Sequence, residues 1–245
     1  MTRLMGILNA TPDSYWEPSR VDASSVREMV SRMVAEGAGI IDVGAVSTRP
    51  GASPVSPVTE WERLCPVLEV LSECCPVDIS IDTTSSFIVT EALSLIPRGF
   101  IVNDISAGGD DDRMLPLVGS LGLPYVAMHR RGTPQTMDGL TDYPGGVVQE
   151  VLDFFDRFSH TAAVNGIVDW ILDPGFGFAK TDSQNMELLA SLGEFKRFHR
   201  PILVSVADKR FVRACFTSNA QAHKAAVSAG ADILRVHDLA GAFKD

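Results

Sequence analysis

The segment that decides the fold is I-L-D-P-G-F-G-F-A-K-T, residues 171–181. The apolar residues that lead into it predict a short buried strand, and Asp173 stands at the carboxyl end of that strand. Gly175 and Gly177 permit a tight turn in which the backbone approaches a ligand, and Thr181 or Asp182 can cap a following helix. The segment therefore predicts a strand, a glycine loop and a helix. Taken alone, Asp173 could equally be a turn former or a cap.

The same order of strand, polar loop and helix recurs along the whole chain. Strands that alternate with helices indicate a parallel sheet, and eight such units in 245 residues predict a (β/α)₈ TIM barrel of the α/β class. A doubly wound open sheet is the alternative. No linker divides the chain, so residues 1–245 are interpreted as one domain. The strand candidates are 4–9, 39–44, 77–81, 100–102, 125–128, 167–172, 202–206 and 233–236.

Composition narrows the classes of partner. The chain is 45% hydrophobic and has a formal net charge of −10. Such a charge argues against nucleic acid, which is bound by broad basic surfaces. No apolar run reaches the roughly 18 residues that a membrane helix needs. The four cysteines form no C-x-x-C pair, which argues against a disulfide framework and favours the cytoplasm.

Polar residues follow most of the predicted strands. Because the carboxyl ends of barrel strands form one face, we expect these side chains to meet in one site. The residues are Asn9, Asp82, Asn103, His129, Asp173, Lys209 and His237.

Four of these residues make a set of donors and acceptors that suits a flat nitrogen heterocycle. Asp82 and Asp173 can each accept two parallel N–H bonds, Asn103 can donate and accept, and Lys209 can donate to a ring nitrogen or carbonyl. For each acid, a helix cap or a structural ion pair is about as probable.

A second group suits a phosphate. Arg235 and His237 lie on the same side of one strand and could hold the anion, with Asn9 supplying an oxygen ligand to Mg²⁺. A lone histidine at a strand end is more often structural. The loops 11–20 and 46–56 are long enough to act as lids. They could bring Arg49 to a leaving group or carboxylate and Asp13 or Glu17 to a developing cation or metal, although solvated surface loops fit them too.

Seven segments together resemble the dihydropteroate synthase family, in order and over nearly the whole chain. They are M-G-I-L-N-A-T-P-D-S (5–14), D-V-G-A-V-S-T-R-P-G-A (42–52), I-S-I-D-T (79–83), I-V-N-D-I-S-A-G (101–108), M-H-R-R-G-T-P-Q-T-M (128–137), I-L-D-P-G-F-G-F-A-K-T (171–181) and R-V-H-D (235–238). The resemblance implies a pterin-binding barrel that condenses 6-hydroxymethyl-7,8-dihydropterin pyrophosphate with 4-aminobenzoate. It also implies a Mg²⁺ cofactor, a sulfonamide target and a homodimer.

The resemblance assigns residues to each substrate. It places the pterin on Asp82, Asn103, Asp173 and Lys209, with Met128 and Phe178 lining the pocket. It places the pyrophosphate on Thr48, Arg49, Arg235 and His237, with Asn9 on the metal. Catalysis then depends on Lys209, Asp173, Arg49 and Glu17, which stabilise the leaving anion and the cation rather than attack the substrate.

The chain departs from the family near the second substrate. The family's S-R-K-S is here Ala207, Asp208, Lys209 and Arg210. The last serine of the family segment helps to hold the 4-aminobenzoate carboxylate. This chain has Arg210 at that position, and we hypothesise that Arg210 holds the carboxylate instead. The helical region after the eighth strand looks shortened. The alternatives are therefore a non-catalytic or weakly active pterin-binding paralogue and, less favoured, a pterin-dependent methyltransferase.

Overall fold

Eight parallel strands form one closed sheet in the computed structural model, which describes residues 2–10, 23–46, 55–133 and 135–244. The order of the strands is β6-β5-β4-β3-β2-β1-β8-β7. The Leu172 N–H donates to the Pro201 carbonyl at 2.9 Å and joins β6 to β7, which closes the barrel. The strands are β1 (Arg3–Asn9), β2 (Ala38–Gly44), β3 (Asp78–Asp82), β4 (Ile101–Asp104), β5 (Tyr125–Met128), β6 (Trp170–Asp173), β7 (Leu203–Val204) and β8 (Ile233–Val236).

Helices cover the outside of the barrel and bury their apolar faces against the strands. Local capping fixes where several of them begin. The Thr181 hydroxyl accepts from the Gln184 N–H while the Gln184 side chain accepts from the Thr181 N–H, which is a capping box. The helices are α1 (Ala23–Ala35), α2 (Pro57–Cys74), α3 (Ser86–Leu95), α4 (Met114–Leu121), α5 (Val147–Val164), α6 (Asp182–Ala190), α7 (Arg210–Cys215) and α8 (Asn219–Ala229).

The interior of the barrel holds a separate apolar layer near the amino-terminal ends of the strands. Side chains alternate along a strand, so residues two positions further on point into the same space. The seven buried members of this layer are Met5, Ile40, Ile101, Val126, Ile171, Leu203 and Ile233.

The predicted TIM barrel is confirmed, and so is the cap at Thr181. The seventh strand is shorter than the predicted segment 202–206, because only Leu203 and Val204 pair with β8. After β8, residues 239–243 form turns, and none of the described residues there is helical. No helix in the described part of the chain is long and apolar enough to cross a membrane.

Candidate functional site

A polar layer lies one step above the apolar layer, toward the carboxyl ends of the strands. Ile40, Ile101, Ile171 and Ile233 of the apolar layer are each followed two residues later by a polar side chain. These four polar side chains belong to Asp42, Asn103, Asp173 and Arg235. Because this end of a TIM barrel carries the active site in characterised enzymes, the polar layer is the candidate site.

Asp42 is the common acceptor of this layer. Its carboxylate is fully buried and accepts from Arg235 Nε at 2.6 Å and from Ser80 Oγ at 2.6 Å. The Asn103 Nδ2 atom lies 3.2 Å from both oxygens of the same carboxylate. Four strands of the barrel are therefore tied together through one buried negative charge.

Arg235 also reaches a second carboxylate. Its Nη2 donates to Asp82 Oδ2 at 2.7 Å, so one guanidinium bridges Asp42 and Asp82. Burial raises the pKa of Asp82 to about 7, with Arg235 opposing the shift. The assignment of Arg235 to the pyrophosphate stays a prediction. In this structure its guanidinium is engaged inside the barrel with a residue predicted to bind the pterin.

Asp173 stands at the rim of β6 and is held by the loop that follows it. Its Oδ1 accepts from the Gly175 N–H at 2.8 Å, and the side chain is buried, which raises its pKa. Lys209 Nζ donates to the carbonyl of Phe176 and lies 4.9 Å from the centre of the Phe178 ring. Burial lowers the pKa of Lys209 to about 8. These contacts bring Asp173, Phe178 and Lys209 together, as predicted.

Met128 is buried at the end of β5, where its backbone pairs with Asp173. His129, the next residue, does not join the strand-end residues in an open site. It is almost fully buried, and its Nδ1 lies 3.0 Å from the Nζ of Lys180. The expectation that His129 meets the other strand-end residues in one site was therefore wrong, because its ring lies against Lys180 and Phe154.

Sequence reasoning missed Asp42 and Lys180. Asp42 stands inside the apolar run of β2 rather than at its end, and Lys180 was read only as the end of a glycine loop. Asp42 faces inward because Ile40, two residues earlier on β2, lies in the interior apolar layer. The sequence alone does not show which face of β2 is the interior one.

The rim that was predicted to face the second substrate contains its own polar contacts. Arg210 Nε donates to Asp182 Oδ1 at 3.1 Å, and the arginine is largely exposed. Asp208, with φ of 61°, is held by reciprocal bonds of 3.0 Å with Asn219. The acid in the A-D-K-R segment is thus turned away into a contact with α8, while Arg210 remains accessible at the rim.

The predicted residues Asp13, Glu17, Thr48 and Arg49 lie outside the described residues. Asn9 and His237 are exposed at the ends of β1 and β8. Within the described ranges, no cluster of three or more His, Cys, Asp or Glu side chains could hold a metal ion by itself.

A cavity of about 1130 Å³ opens at the opposite, amino-terminal end of the barrel. Its charged lining includes the ion pairs Arg3–Asp78 and Lys196–Asp232, each with an N–O distance of 2.6 Å. These paired groups are about half exposed, whereas burial shifts the pKa values of Asp82, Asp173 and Lys209 at the carboxyl-terminal end. The chemistry is therefore assigned to the carboxyl-terminal end.

The combined geometry offers acceptors at Asp82 and Asp173, a donor at Lys209, and the Phe178 ring, which can cover a flat ligand. Charged groups in a low-dielectric site bind such a ligand strongly because little water competes with them. The arrangement fits recognition of a planar heterocycle with several N–H donors.

Comparison with known proteins gives one consistent result. Residues 5–237 match the family model of pterin binding enzymes. The chain is 38% identical to the dihydropteroate synthase of Synechocystis sp. over 97% of this chain and 86% of that protein.

Two crystal structures show the same architecture. The dihydropteroate synthase of Clostridium difficile, solved in the presence of pteroic acid, has a TM-score of 0.88 at 32% identity, covering 98% of this chain and 92% of that one. The enzyme of Yersinia pestis, in a sulfonamide drug complex, has a TM-score of 0.87 at 32% identity, covering 98% and 90% of the two chains.

Proposed function

The chain belongs to the pterin binding enzyme family, with dihydropteroate synthase as its activity, and we propose that the polar layer described above holds the pterin. The reaction joins 6-hydroxymethyl-7,8-dihydropterin pyrophosphate to 4-aminobenzoate and releases dihydropteroate and pyrophosphate. One observation carries the proposal: Asp173, which is buried, and Asp82, whose side chain is 15% exposed, both have a raised pKa and lie at the same end of the barrel as Lys209.

The carboxylates and Lys209 recognise the ring. Asp173 and Asp82 accept from the N–H groups of the pterin, Asn103 adds an amide, and Lys209 donates to a ring acceptor. The Phe178 ring and Met128 cover the heterocycle. Because Gly175 fixes one oxygen of Asp173, the other oxygen is oriented before the ligand arrives.

The chemistry needs no protein nucleophile. The bond between the pterin methylene and the pyrophosphate oxygen breaks, and its electron pair leaves with the pyrophosphate. The amine nitrogen of 4-aminobenzoate attacks the methylene cation and then loses a proton to solvent. The buried carboxylates favour the cation because its positive charge spreads into the ring that they contact.

The assignment of residues to the pyrophosphate rests on the family resemblance. Asn9 offers one exposed amide oxygen, which fits a metal that takes its other ligands from the pyrophosphate and water. Mg²⁺ bound there would neutralise charge on the leaving group. Thr48, Arg49, Arg235 and His237 are proposed to contact the same anion, and Glu17 to face the cation.

We assign the 4-aminobenzoate carboxylate to Arg210. Asp182 holds its Nε, which leaves the Nη atoms of this exposed guanidinium able to bind an anion. Replacing Arg210 by Ala should raise the KM for 4-aminobenzoate by roughly tenfold, the loss expected for a charge-assisted contact, and should leave the KM for the pterin unchanged. The matched Arg213→Ala variant, on the same helix, should behave as wild type. An unchanged KM in Arg210→Ala would contradict the assignment.

Two further expectations concern the oligomeric state and the cellular location of the protein. A homodimer is expected from the family resemblance and would appear as a doubled mass in sedimentation equilibrium. Cytoplasmic location is expected from the cysteines, all four of which are free.

The activity itself is tested by incubating the protein with Mg²⁺ and both substrates and measuring dihydropteroate by mass. Wild type and Lys196→Ala, a change in an ion pair at the far end of the barrel, should form product, and Lys209→Ala should not. Pterin binding without product in wild type would instead identify a non-catalytic paralogue. The absence of both would contradict the proposed function.

A further inference from the structure

Lys180 is a buried lysine that the reaction described above does not use. Only 3% of the residue is exposed, and burial lowers its pKa to about 7, with the nearby charge of Asp173 opposing the shift. Its Nζ donates to the carbonyls of Gly175 at 2.9 Å and Phe178 at 3.0 Å, and lies 3.0 Å from Nδ1 of His129. In the protonated form of Lys180, all three N–H donors thus have a partner.

His129 is suited to be the third acceptor. Burial and the neighbouring charges of Lys180 and Arg131 lower its pKa well below the usual value, so the ring is neutral. A neutral imidazole can accept at Nδ1. The ring also packs edge-on against Phe154, with centroids 5.2 Å apart, which fixes its orientation.

The loop that Lys180 holds packs closely against the end of β5. A Cβ atom at Gly175 would lie 1.9 Å from the His129 carbonyl oxygen, so the loop and the end of β5 are already in contact. Gly175 also has φ of 71°, which glycine adopts without strain. Lys180 therefore fastens a loop that is closely packed on its other side.

The two carbonyls bound by Lys180 belong to the residues that shape the pterin pocket. The Gly175 N–H orients Asp173, and Phe178 supplies a wall of the pocket. The Phe178 N–H donates to the Gly175 carbonyl at 3.1 Å, so a single turn connects both functions. Lys209 holds the Phe176 carbonyl of the same turn.

We propose that Lys180 and His129 are a positioning pair for pterin recognition: Lys180, oriented by His129, locks the loop 174–180 so that Asp173 and Phe178 meet the ring correctly. The inference rests on the proposed function and adds two residues to it. Neither residue contacts the substrate in this account, so they act through Asp173 and Phe178.

The first test replaces Lys180 by Met, which keeps the length of the side chain and removes its donors. We expect the Kd for the pterin, measured by calorimetry, to rise at least about tenfold, the scale of losing a charge-assisted bond. The KM for 4-aminobenzoate should stay within about twofold. Lys196→Met, which removes an exposed lysine at the far end of the barrel, should match wild type.

The second test uses the partner. His129→Asn can place an amide oxygen near the position of Nδ1 and should retain most of the pterin affinity. His129→Leu removes the acceptor and should lose affinity as Lys180→Met does. This pair keeps the proposal testable if Lys180→Met does not fold.

Three results would overturn the proposal. The first is a wild-type Kd in Lys180→Met, and the second is equal affinity in the two His129 variants. The third is a reduced number of binding sites with an unchanged Kd, which would show a purely structural role. Failure of wild type to bind the pterin would contradict the proposed function instead, so the two failures can be told apart.

Discussion

Two arginine–aspartate pairs lie at opposite ends of the barrel interior and have the same N–O distance of 2.6 Å. Arg3 and Asp78 form the pair at the amino-terminal end, where their side chains are 47% and 60% exposed. Arg235 and Asp42 form the pair at the carboxyl-terminal end, where the aspartate is fully buried. The apolar layer separates them.

The comparison shows that burial, rather than the N–O distance, decides how much such a pair contributes to stability and how strongly it affects neighbouring groups. In the exposed pair, water screens the attraction and either partner can be solvated alone. In the buried pair, each group depends on the other, because a charge left unpaired in the interior is costly. The buried pair also acts on its neighbours, since Arg235 opposes the rise in the pKa of Asp82.

The largest effect is expected at the shared acceptor. Asp42→Ala would leave Arg235, Asn103 and Ser80 without their common partner, and should lower the free energy of unfolding by about 3–5 kcal/mol. Urea unfolding measures this loss. Asp42→Asn, which keeps the size and one acceptor oxygen, should lose less. A loss below about 1 kcal/mol in Asp42→Ala would mean that the buried pair contributes no more to the free energy of unfolding than an ordinary surface ion pair.

The apolar layer should affect stability without affecting recognition. Leu203 is fully buried in this layer, so Leu203→Ala should cost about 2–5 kcal/mol through lost burial and a cavity. Calorimetry on the folded protein should find the Kd for the pterin within about twofold of wild type. This ratio corresponds to a change in binding free energy below about 0.4 kcal/mol. A much larger Kd would show that the two layers are coupled.

Pterin binding in the polar layer should depend on pH. The raised pKa of Asp82, about 7, means that this carboxylate is protonated and loses an acceptor site as the pH falls below 7. The lowered pKa values of Lys209, about 8, and of Lys180, about 7, mean that these donors lose their charge as the pH rises through those values. Affinity should be greatest near neutral pH, and Kd should rise by up to about tenfold per pH unit on either side.

Calorimetry from pH 5.5 to 9.5 would measure this profile. Asp82→Asn should weaken binding at pH 7.5 and reduce the acid limb, because its amide does not titrate. A flat wild-type profile would show that none of these groups changes charge in this range.

The smallest effect is expected at the exposed pair. Arg3→Met should change the free energy of unfolding by less than about 1 kcal/mol and leave turnover unchanged. The same unfolding and product assays apply. A loss as large as that of Asp42→Ala would mean that burial does not separate the two pairs.

The fold could be predicted because each strand and helix carries its own local pattern. The site could be predicted only where a strand end coincided with a polar residue, as at Asp82, Asn103 and Asp173. Asp42 lies between Ile41 and Val43 within β2, and its role depends on the register with Ser80 on the next strand. No local pattern contains that register.

Non-local contacts also explain the other differences. His129 directly follows β5, whereas Asp173 ends β6. His129 is held away from the polar layer because Lys180, in the loop 174–180, binds its ring. Arg235 and His237 share one side of β8 in the sequence pattern, but the arginine reaches inward to Asp42 and Asp82. The sequence shows which residues share a face but not which carboxylates a long side chain will reach.

The most direct measurement is a calorimetric titration of the pterin into Arg235→Met and Arg3→Met, the matched changes at the two ends of the barrel. We expect Arg235→Met to raise Kd at least about tenfold, or 1.4 kcal/mol, because Asp82 and Asp42 lose the cation that organises them. Arg3→Met should bind the pterin as wild type does. Equal affinity of the two variants would contradict the assignment of the pterin to the polar layer.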